Sequence, residues 1–434
     1  MTSENGGAGG PIDDSVSLEA EKLVGGGRAL AHHEGSTWMV AGALPGERIR
    51  AVPLKKRAGI IEASACAVER HPHPARLEEP CPHSGICGGC DWPHVDPTLG
   101  ARLKASSASE ATRGFPELGE MIAAARVTTS PDNYRLRARL HWDPAQRRLG
   151  FYEFRSRRVS SITSCRVLSS GFMKIHPLLE ATLAKCCPEA IDLEWLEGTD
   201  DRTPVAALTP SKGGPTGIEP GWIPDENDLA GSVAGFHSLS PSGRPSPGWG
   251  AAEVAMNLPI PLAVPIGAFF QGNRHLIAPL FEKIAELIGR DPSPVFDLHA
   301  GVGYLAAAAL HAGDREMTLV EPNRIAAEAA GRNLPAAEVV GGSTAEEFAK
   351  RRKSLPNDAI AITDPPRSGL TKPLRERLAA WRPKKILMLG CDPATWARDA
   401  GFLVSSGYRV SALELFDLFP STHHVEILAL LERE

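Results

Sequence analysis

The stretch YRVSALELFDLFPSTHHVEILALLER (408–433) decides how the second half of this 434-residue chain is read. Two apolar, strand-like runs, YRVSALELFDLF and HVEILALLER, are joined by a short loop with no helix between them. Upstream, after Pro261, the runs PVFDLH, MTLVEP, AEVVGG, AIAITDPP and KKILMLGCD alternate with alanine-rich or amphipathic stretches long enough for helices. That alternation argues a parallel α/β sheet. A parallel sheet closed by an antiparallel hairpin is not expected of a dinucleotide dehydrogenase, so the sheet is Rossmann-like with a different ending.

Working outward, residues 16 to about 68 alternate short apolar strands with turn residues (VSLEAEKL, GGGRALAH, STWMVAGALPGERIRAVPL, AGIIEASACAV), the texture of a small all-β barrel. Strand-like alternation returns at 126–170 in NYRLRARLHW and RRLGFYEF, which read as antiparallel hairpins. The span 199–250 is rich in Gly, Pro and Ser and reads as irregular loop with a strand or two and no chemistry. The expected organisation is a disordered lead-in at 1–14, an OB-like barrel at 15–70, an α+β central domain at 71–255 and an α/β domain at 256–434.

Composition agrees with a multidomain globular chain: 42% hydrophobic and 23% charged, with a length beyond one ordinary core. No apolar run approaches the roughly 18 residues that span a membrane. The start, MTSENGGAGGPIDD, lacks a basic segment followed by an apolar one, so the expected location is the cytoplasm. Nothing in the chain calls for an obligate protein partner. Eight cysteines are too few for a disulfide scaffold, and three of them, Cys81, Cys87 and Cys90, fall within ten residues. That cluster suits zinc, with His83 and His94 as local partners, or an iron–sulfur cluster completed from elsewhere. Cys66, Cys186 and Cys187 have no assigned partner.

A net charge of −5 argues mildly against nucleic acid, yet charge is local. Nine arginines (135, 137, 139, 147, 148, 155, 157, 158 and 166) stand against Asp143 and Glu153, a balance of +7 between 135 and 166. The segment reads either as a solvated face or as a phosphate-binding one. The interleaved rings of Tyr134, Trp142, Phe151 and Tyr152 favour RNA, since unpaired bases stack on such rings.

Chemistry-bearing residues recur at strand ends. DLHAGVGYLAAAAL (297–310) is a strand end, a turn with Gly301 and Gly303, and a helix start, where backbone passes close to a nucleotide. Glu321, about 20 residues on, ends the next strand where an acid accepts from a ribose diol. TDPPRSGL (363–370) carries Asp364, LGCDPATWARD (389–399) carries Cys391 ahead of a helix that Pro393 starts, and FPSTHHVE (419–426) carries Glu426. A thiol at a helix N-terminus is expected to have a lowered pKa. A lone Cys is more often inert core; the company of the other segments reverses that.

With these motifs the chain resembles the RNA (uracil-5-)-methyltransferase family, from about Val16 to Leu431. GALPGERI (42–49) resembles the signature of the TRAM barrel, CPHSGICGGCDWPHV the family's iron–sulfur segment, NYRLRARL its arginine strand, SCRVL the site of a fourth cysteine, and AFFQGN the segment with Gln271. The resemblance implies an S-adenosylmethionine methyltransferase fold at the C-terminus and a 4Fe-4S cluster on Cys81, Cys87, Cys90 and Cys165. It further implies Cys391 as nucleophile, Glu426 as base, and cofactor contacts from Gln271, His299, Glu321 and Asp364. Two positions depart: the family usually has Tyr or Phe at 299 and Cys at 300, where this chain has His299 and Ala300. Thr344 stands where the family often has an acid, so no adenine contact is assigned there. The implied reaction is C5 methylation of uridine in 23S ribosomal RNA or in the T-loop of tRNA, with Asp364 accepting the N3 hydrogen. Competing readings are an RNA-binding assembly factor without catalysis, against which Cys391 and Glu426 stand, and an RNA cytosine-C5 methyltransferase.

Overall fold

The computed structural model describes residues 15–433 apart from 79, 80, 200–202, 230 and 242; the lead-in expected at 1–14 lies outside the described residues. Six strands come first: β1 (Val16–Glu19), β2 (Lys22–Val24), β3 (Arg28–His33), β4 (Ser36–Ala41), β5 (Arg48–Arg57) and β6 (Ile60–Arg70), ordered β1-β5-β6-β4-β3-β2. Only Ala20 and Glu21 separate the two strands at the ends of that order. Ala20 N donates to Glu47 O and Glu21 N to Leu30 O, so one bent strand pairs on both sides and closes the sheet into a barrel. Its interior is filled at period two by Leu18, Ala29, Ala31, Trp38, Val40, Ile49 and Ala51.

Two helices, α1 (Ala101–Ala111) and α2 (Pro116–Ala124), and a two-residue strand β7 (Val127–Thr128) come next. A second sheet, β13-β12-β11-β10-β8-β9, is built from β8 (Arg137–Asp143), β9 (Arg148–Gly150), β10 (Ile191–Leu196), β11 (Val205–Pro210), β12 (Gly235–Leu239) and β13 (Pro245–Gly250). Helix α3 (Ser170–Cys186) covers it through Phe172, Leu179 and Leu183, packed with Trp195 and Phe236. Among its described residues the Gly- and Pro-rich span thus carries three strands, more than its composition suggests. A Cβ on Gly248 would lie 2.2 Å from Phe236 O, so that glycine lets two strands approach and does not mark a loop.

A hairpin of β14 (Glu253–Met256) and β15 (Leu262–Pro265) leads into the C-terminal unit. There α4 (Ile277–Ile288), β16 (Val295–Asp297), α5 (Tyr304–Ala312), β17 (Met317–Glu321), α6 (Arg324–Asn333), β18 (Glu338–Gly341), α7 (Ala345–Arg351), β19 (Ile360–Thr363), α8 (Lys372–Trp381), β20 (Lys385–Gly390) and α9 (Pro393–Ser405) alternate. Strands β21 (Tyr408–Phe416) and β22 (Glu426–Arg433) close the chain as the expected antiparallel hairpin. The sheet order is β18-β17-β16-β19-β20-β22-β21-β7, with a reversal between β16 and β19 that opens a crevice beyond their carboxyl ends. At the far edge β7 pairs in parallel with β21. Helix α1 is shared: Leu103 packs into the barrel core, whereas Ala105 and Ala108, with Leu118 and Ile122 of α2, pack against the C-terminal sheet. Among the described residues no helix is long and apolar enough to cross a membrane.

Candidate active site

The turns at the carboxyl ends of the strands line the crevice. After β16, Gly301 and Gly303 adopt φ of +54° and +92°, and a Cβ on Gly303 would stand 3.0 Å from Leu334 Cδ1. The turn therefore needs glycine for both conformation and space. Glu321, at the end of β17, holds it by accepting from Gly301 N at 2.8 Å and Asn323 N at 2.7 Å. Gln271 Nε2 donates to Asp364 Oδ2 at 3.3 Å, so two of the expected cofactor residues, 93 positions apart, meet. His299 Nδ1, Asp297 Oδ2 and Thr363 Oγ1 are buried without a partner among the described residues, and so are open to a ligand or a water. The hydroxyl of Thr344 caps α7 in a capping box with Glu347, which occupies it and agrees with leaving it out of the cofactor set.

Cys391 and Glu426 face each other. Gly390 of β20 is opposite Ile427 of β22, so Cys391 and Glu426, one step beyond that pair, are opposed at the strand ends. Burial, then the charges of Asp364 and Glu321, push Asp297 up to about 7; burial alone raises Asp364 to about 7 against the Gln271 bond. Burial and the charge of Asp364 bring Glu426 to about 8. The Cys391 thiol goes the other way from the expectation: burial, then Glu426 and Asp364, push it up to about 12, with Arg367 opposing. The helix N-terminus does not rescue it, because Asp392 caps α9 by accepting from Thr395 N at 2.9 Å and so meets the positive end of the helix with its own carboxylate.

Three carboxyls protonated in the fold but ionised in the unfolded chain cost stability as pH rises. His94, His299 and His424, each lowered to about 4 chiefly by burial, act in the opposite sense, but only below their ordinary value of 6.5. The carboxyls therefore govern between about pH 6.5 and 8, and the Tm of the ligand-free protein is expected to fall across that window. S-adenosylmethionine, whose sulfonium is cationic, is expected to raise Tm more at the upper end than at the lower. S-adenosylhomocysteine lacks the charge and should show no such gain. Calorimetry of both complexes checks this; equal gains at both ends would separate the carboxyl cluster from the cofactor.

Beside the crevice, a groove is lined by Arg135, Arg137, Arg139, Phe269, Phe270 and Phe419. Phe269 is 60% exposed, an open ring among guanidinium groups; it lies in the AFFQGN segment, two residues before Gln271, but the sequence assigns it no role there. The +7 segment is less free than its count implies. Arg137 and Arg139 share the buried Glu194, Arg166 pairs with Asp132, Arg155 with Glu62 and Arg158 with Glu153.

The thiols of Cys81, Cys87, Cys90 and Cys165 line one cavity with His83, Phe151 and Ser421. Burial pushes Cys90 up to about 12 and raises Cys87 and Cys165, with neighbouring cysteines of the set adding to each of these three shifts. Among the described residues no three Cys, His, Asp or Glu groups gather tightly enough for a single metal ion. The local zinc site with His83 and His94 is not assembled: His83 Nε2 meets Thr163 N at 3.2 Å, and His94 is outside the cavity, near Arg76 and Glu47. The four thiols share one cavity, and thiolates are ligands both for zinc and for iron–sulfur clusters.

A family model described as tRNA (uracil-5-)-methyltransferase matches residues 353–434, which hold Asp364, Cys391 and Glu426. Two relatives, the proteins named 23S rRNA (uracil(1939)-C(5))-methyltransferase RlmD of Pseudomonas putida and of Alkalilimnicola ehrlichii, are 30% and 31% identical. They match over 97% and 94% of this chain and 94% of each relative. The crystal structure of Pyrococcus abyssi tRNA (uracil-54, C5)-methyltransferase in complex with S-adenosyl-L-homocysteine has a TM-score of 0.72 and 22% identity, covering 96% of this chain and all of that one, and so shares the fold. With its strand-end motifs in one crevice and full-length relatives at this identity, the chain belongs to the RNA (uracil-5-)-methyltransferase family.

Proposed function

We infer that this protein transfers a methyl group from S-adenosylmethionine to carbon 5 of a uridine in RNA, with Cys391 as covalent nucleophile and Glu426 as the base. The observation that carries the reading is the opposition of Cys391 and Glu426 at the ends of β20 and β22, beside the acidic crevice of Asp297, Glu321 and Asp364. The relatives' names favour 23S ribosomal RNA as the target, with a tRNA T-loop uridine as second choice.

Uracil C5 is too weak a nucleophile to be methylated directly. Attack of the Cys391 sulfur at C6 makes C5 part of an enolate, so one hard step becomes two easier ones. When bound, S-adenosylmethionine supplies an electrophilic methyl group. Glu426 then takes the C5 proton, the C5–C6 double bond re-forms and the thiolate leaves. The raised values of both groups describe the resting site: the Cys391 thiol gives its proton to solvent water as the sulfur adds to C6, and Glu426 is ionised when C5 is deprotonated. Arg367 favours both ionised forms. Gln271, His299, Glu321 and Asp364 are the cofactor contacts in this reading. The groove of Arg135, Phe269 and Phe419 is the route of the RNA, whose target base has to leave its stack. The barrel acts as a TRAM-type RNA-binding unit, and Cys81, Cys87, Cys90 and Cys165 hold a 4Fe-4S cluster that braces the central domain.

The test is methyl transfer from labelled cofactor to RNA lacking the modification, with nucleoside analysis of the product. 5-Methyluridine is expected. 5-Methylcytidine would convert the assignment to the cytosine enzyme, and absence of transfer would favour the assembly-factor reading.

A further inference from the structure

The loop between β21 and β22, residues 417–425, delivers Glu426 to the crevice, and its carbonyls are held from outside. Asn273 Nδ2 donates to Leu418 O at 3.0 Å, Tyr134 OH to Pro420 O at 3.1 Å and Trp92 N to Ser421 O at 2.9 Å. The first two grip the first limb of the loop and the third grips its tip. Lys104, on α1, grips both limbs: its Nζ donates to Asp417 Oδ1 at 2.5 Å, to Phe419 O at 3.0 Å and to His424 O at 3.0 Å. An ammonium has three protons, and all three are spent here. Lys104 is 3% exposed and Asp417 fully buried, 313 residues apart in sequence.

A buried lysine with a single carboxylate partner is a weak device for stability, because desolvation offsets the attraction. What this one does in addition is fix the distance between the point where the chain leaves β21 and the point two residues before Glu426. The intervening Val425 is 2% exposed, so the position of the His424 carbonyl is passed on to Glu426 with little slack.

We propose that Lys104 is a positioning residue for Glu426, holding the base at the height needed to reach the C5 proton. This rests on the methyltransferase reading above. It separates Lys104 from the cofactor crevice, whose polar groups Gln271, Asp297, Glu321 and Asp364 make no bond to it. Loss of the staple should therefore slow proton removal and spare the earlier steps.

The experiment compares wild-type protein, Lys104→Met and Lys104→Arg. Lys104→Met is expected to bind S-adenosylmethionine within about threefold of wild type and to transfer the first methyl group, while turnover falls on the order of 100-fold, the scale of a misplaced reacting group. The stalled protein should carry covalently attached RNA. Lys104→Arg, which keeps charge and donors, should regain much of the turnover. Because Lys104→Met leaves Asp417 buried and unpaired, the double variant Lys104→Met/Asp417→Asn is measured beside it; it removes that charge, still lacks the staple, and is expected to show the same split. Wild-type turnover in the double variant would overturn the proposal, as would equal loss of cofactor binding, first transfer and turnover. Failure of the wild-type protein to make 5-methyluridine would count against the methyltransferase reading itself, which is a different result.

Discussion

Glu426→Gln protein incubated with RNA and S-adenosylmethionine is expected to become trapped on its substrate. Attack by Cys391 and methyl transfer both precede proton removal, so an amide at 426 leaves them possible and blocks release. Turnover should fall by about 10²- to 10⁴-fold, the usual worth of a positioned base. A protein–RNA species that survives denaturing electrophoresis should accumulate to near stoichiometry. The substitution also removes a buried ionisable group raised to about 8, so the variant should fold at least as well as the parent at alkaline pH. Cys391→Ala should yield neither product nor adduct, and Cys391→Ser only trace activity, since a hydroxyl is a far poorer nucleophile. The double variant Glu426→Gln/Cys391→Ala should form no complex. Normal turnover by Glu426→Gln would assign the base elsewhere, and an adduct persisting without Cys391 would remove it as nucleophile.

Protein purified without oxygen is expected to be brown, with iron and sulfide in similar amounts, and Cys165→Ser to lose the colour. Cys165 is supplied from 75 residues beyond Cys90, yet its thiol lines the same cavity. With three thiolates the site is open on one side and labile to oxidation. The cavity wall leaves little tolerance, since a Cβ on Gly89 would lie 3.1 Å from the Phe151 ring and one on Gly88 3.0 Å from Tyr152 O. Loss of the cluster should also lower Tm, because the loop that carries it supplies Trp92 and Asp91 to Ser421 and His423. Colourless protein with one zinc per chain, or full colour in Cys165→Ser, would overturn the ligand assignment.

The parts of this molecule legible in the sequence are those whose geometry is set by local pattern. The hairpin at 408–433 and the alternation before it dictate a parallel sheet, and a parallel sheet aligns its strand ends, so Asp364, Cys391 and Glu426 had to converge once the strands were identified. What was not legible depends on distant partners. The thiol of Cys391 is raised by its burial and then by the neighbouring carboxyls of Glu426 and Asp364, whereas proximity to a helix start alone suggested the reverse. The strands in the Gly-rich span were hidden because Gly248 marks a close approach of two strands in the same letters as a flexible turn. Lys104 was invisible because two of its three acceptors are main-chain carbonyls, which no side-chain motif encodes, and the third, Asp417, lies 313 residues away.

The edge strand β7 and the helix pair before it have a consequence for how the chain is made. They leave the ribosome early, whereas β21, the strand they pair with and pack upon, emerges some 280 residues later. At ordinary elongation rates that interval is about 15 to 60 s. Throughout it the faces bearing Ala105, Ala108, Leu118 and Ile122 have no sheet to cover them, so this apolar surface stays open to non-native contacts until the last strands are synthesised.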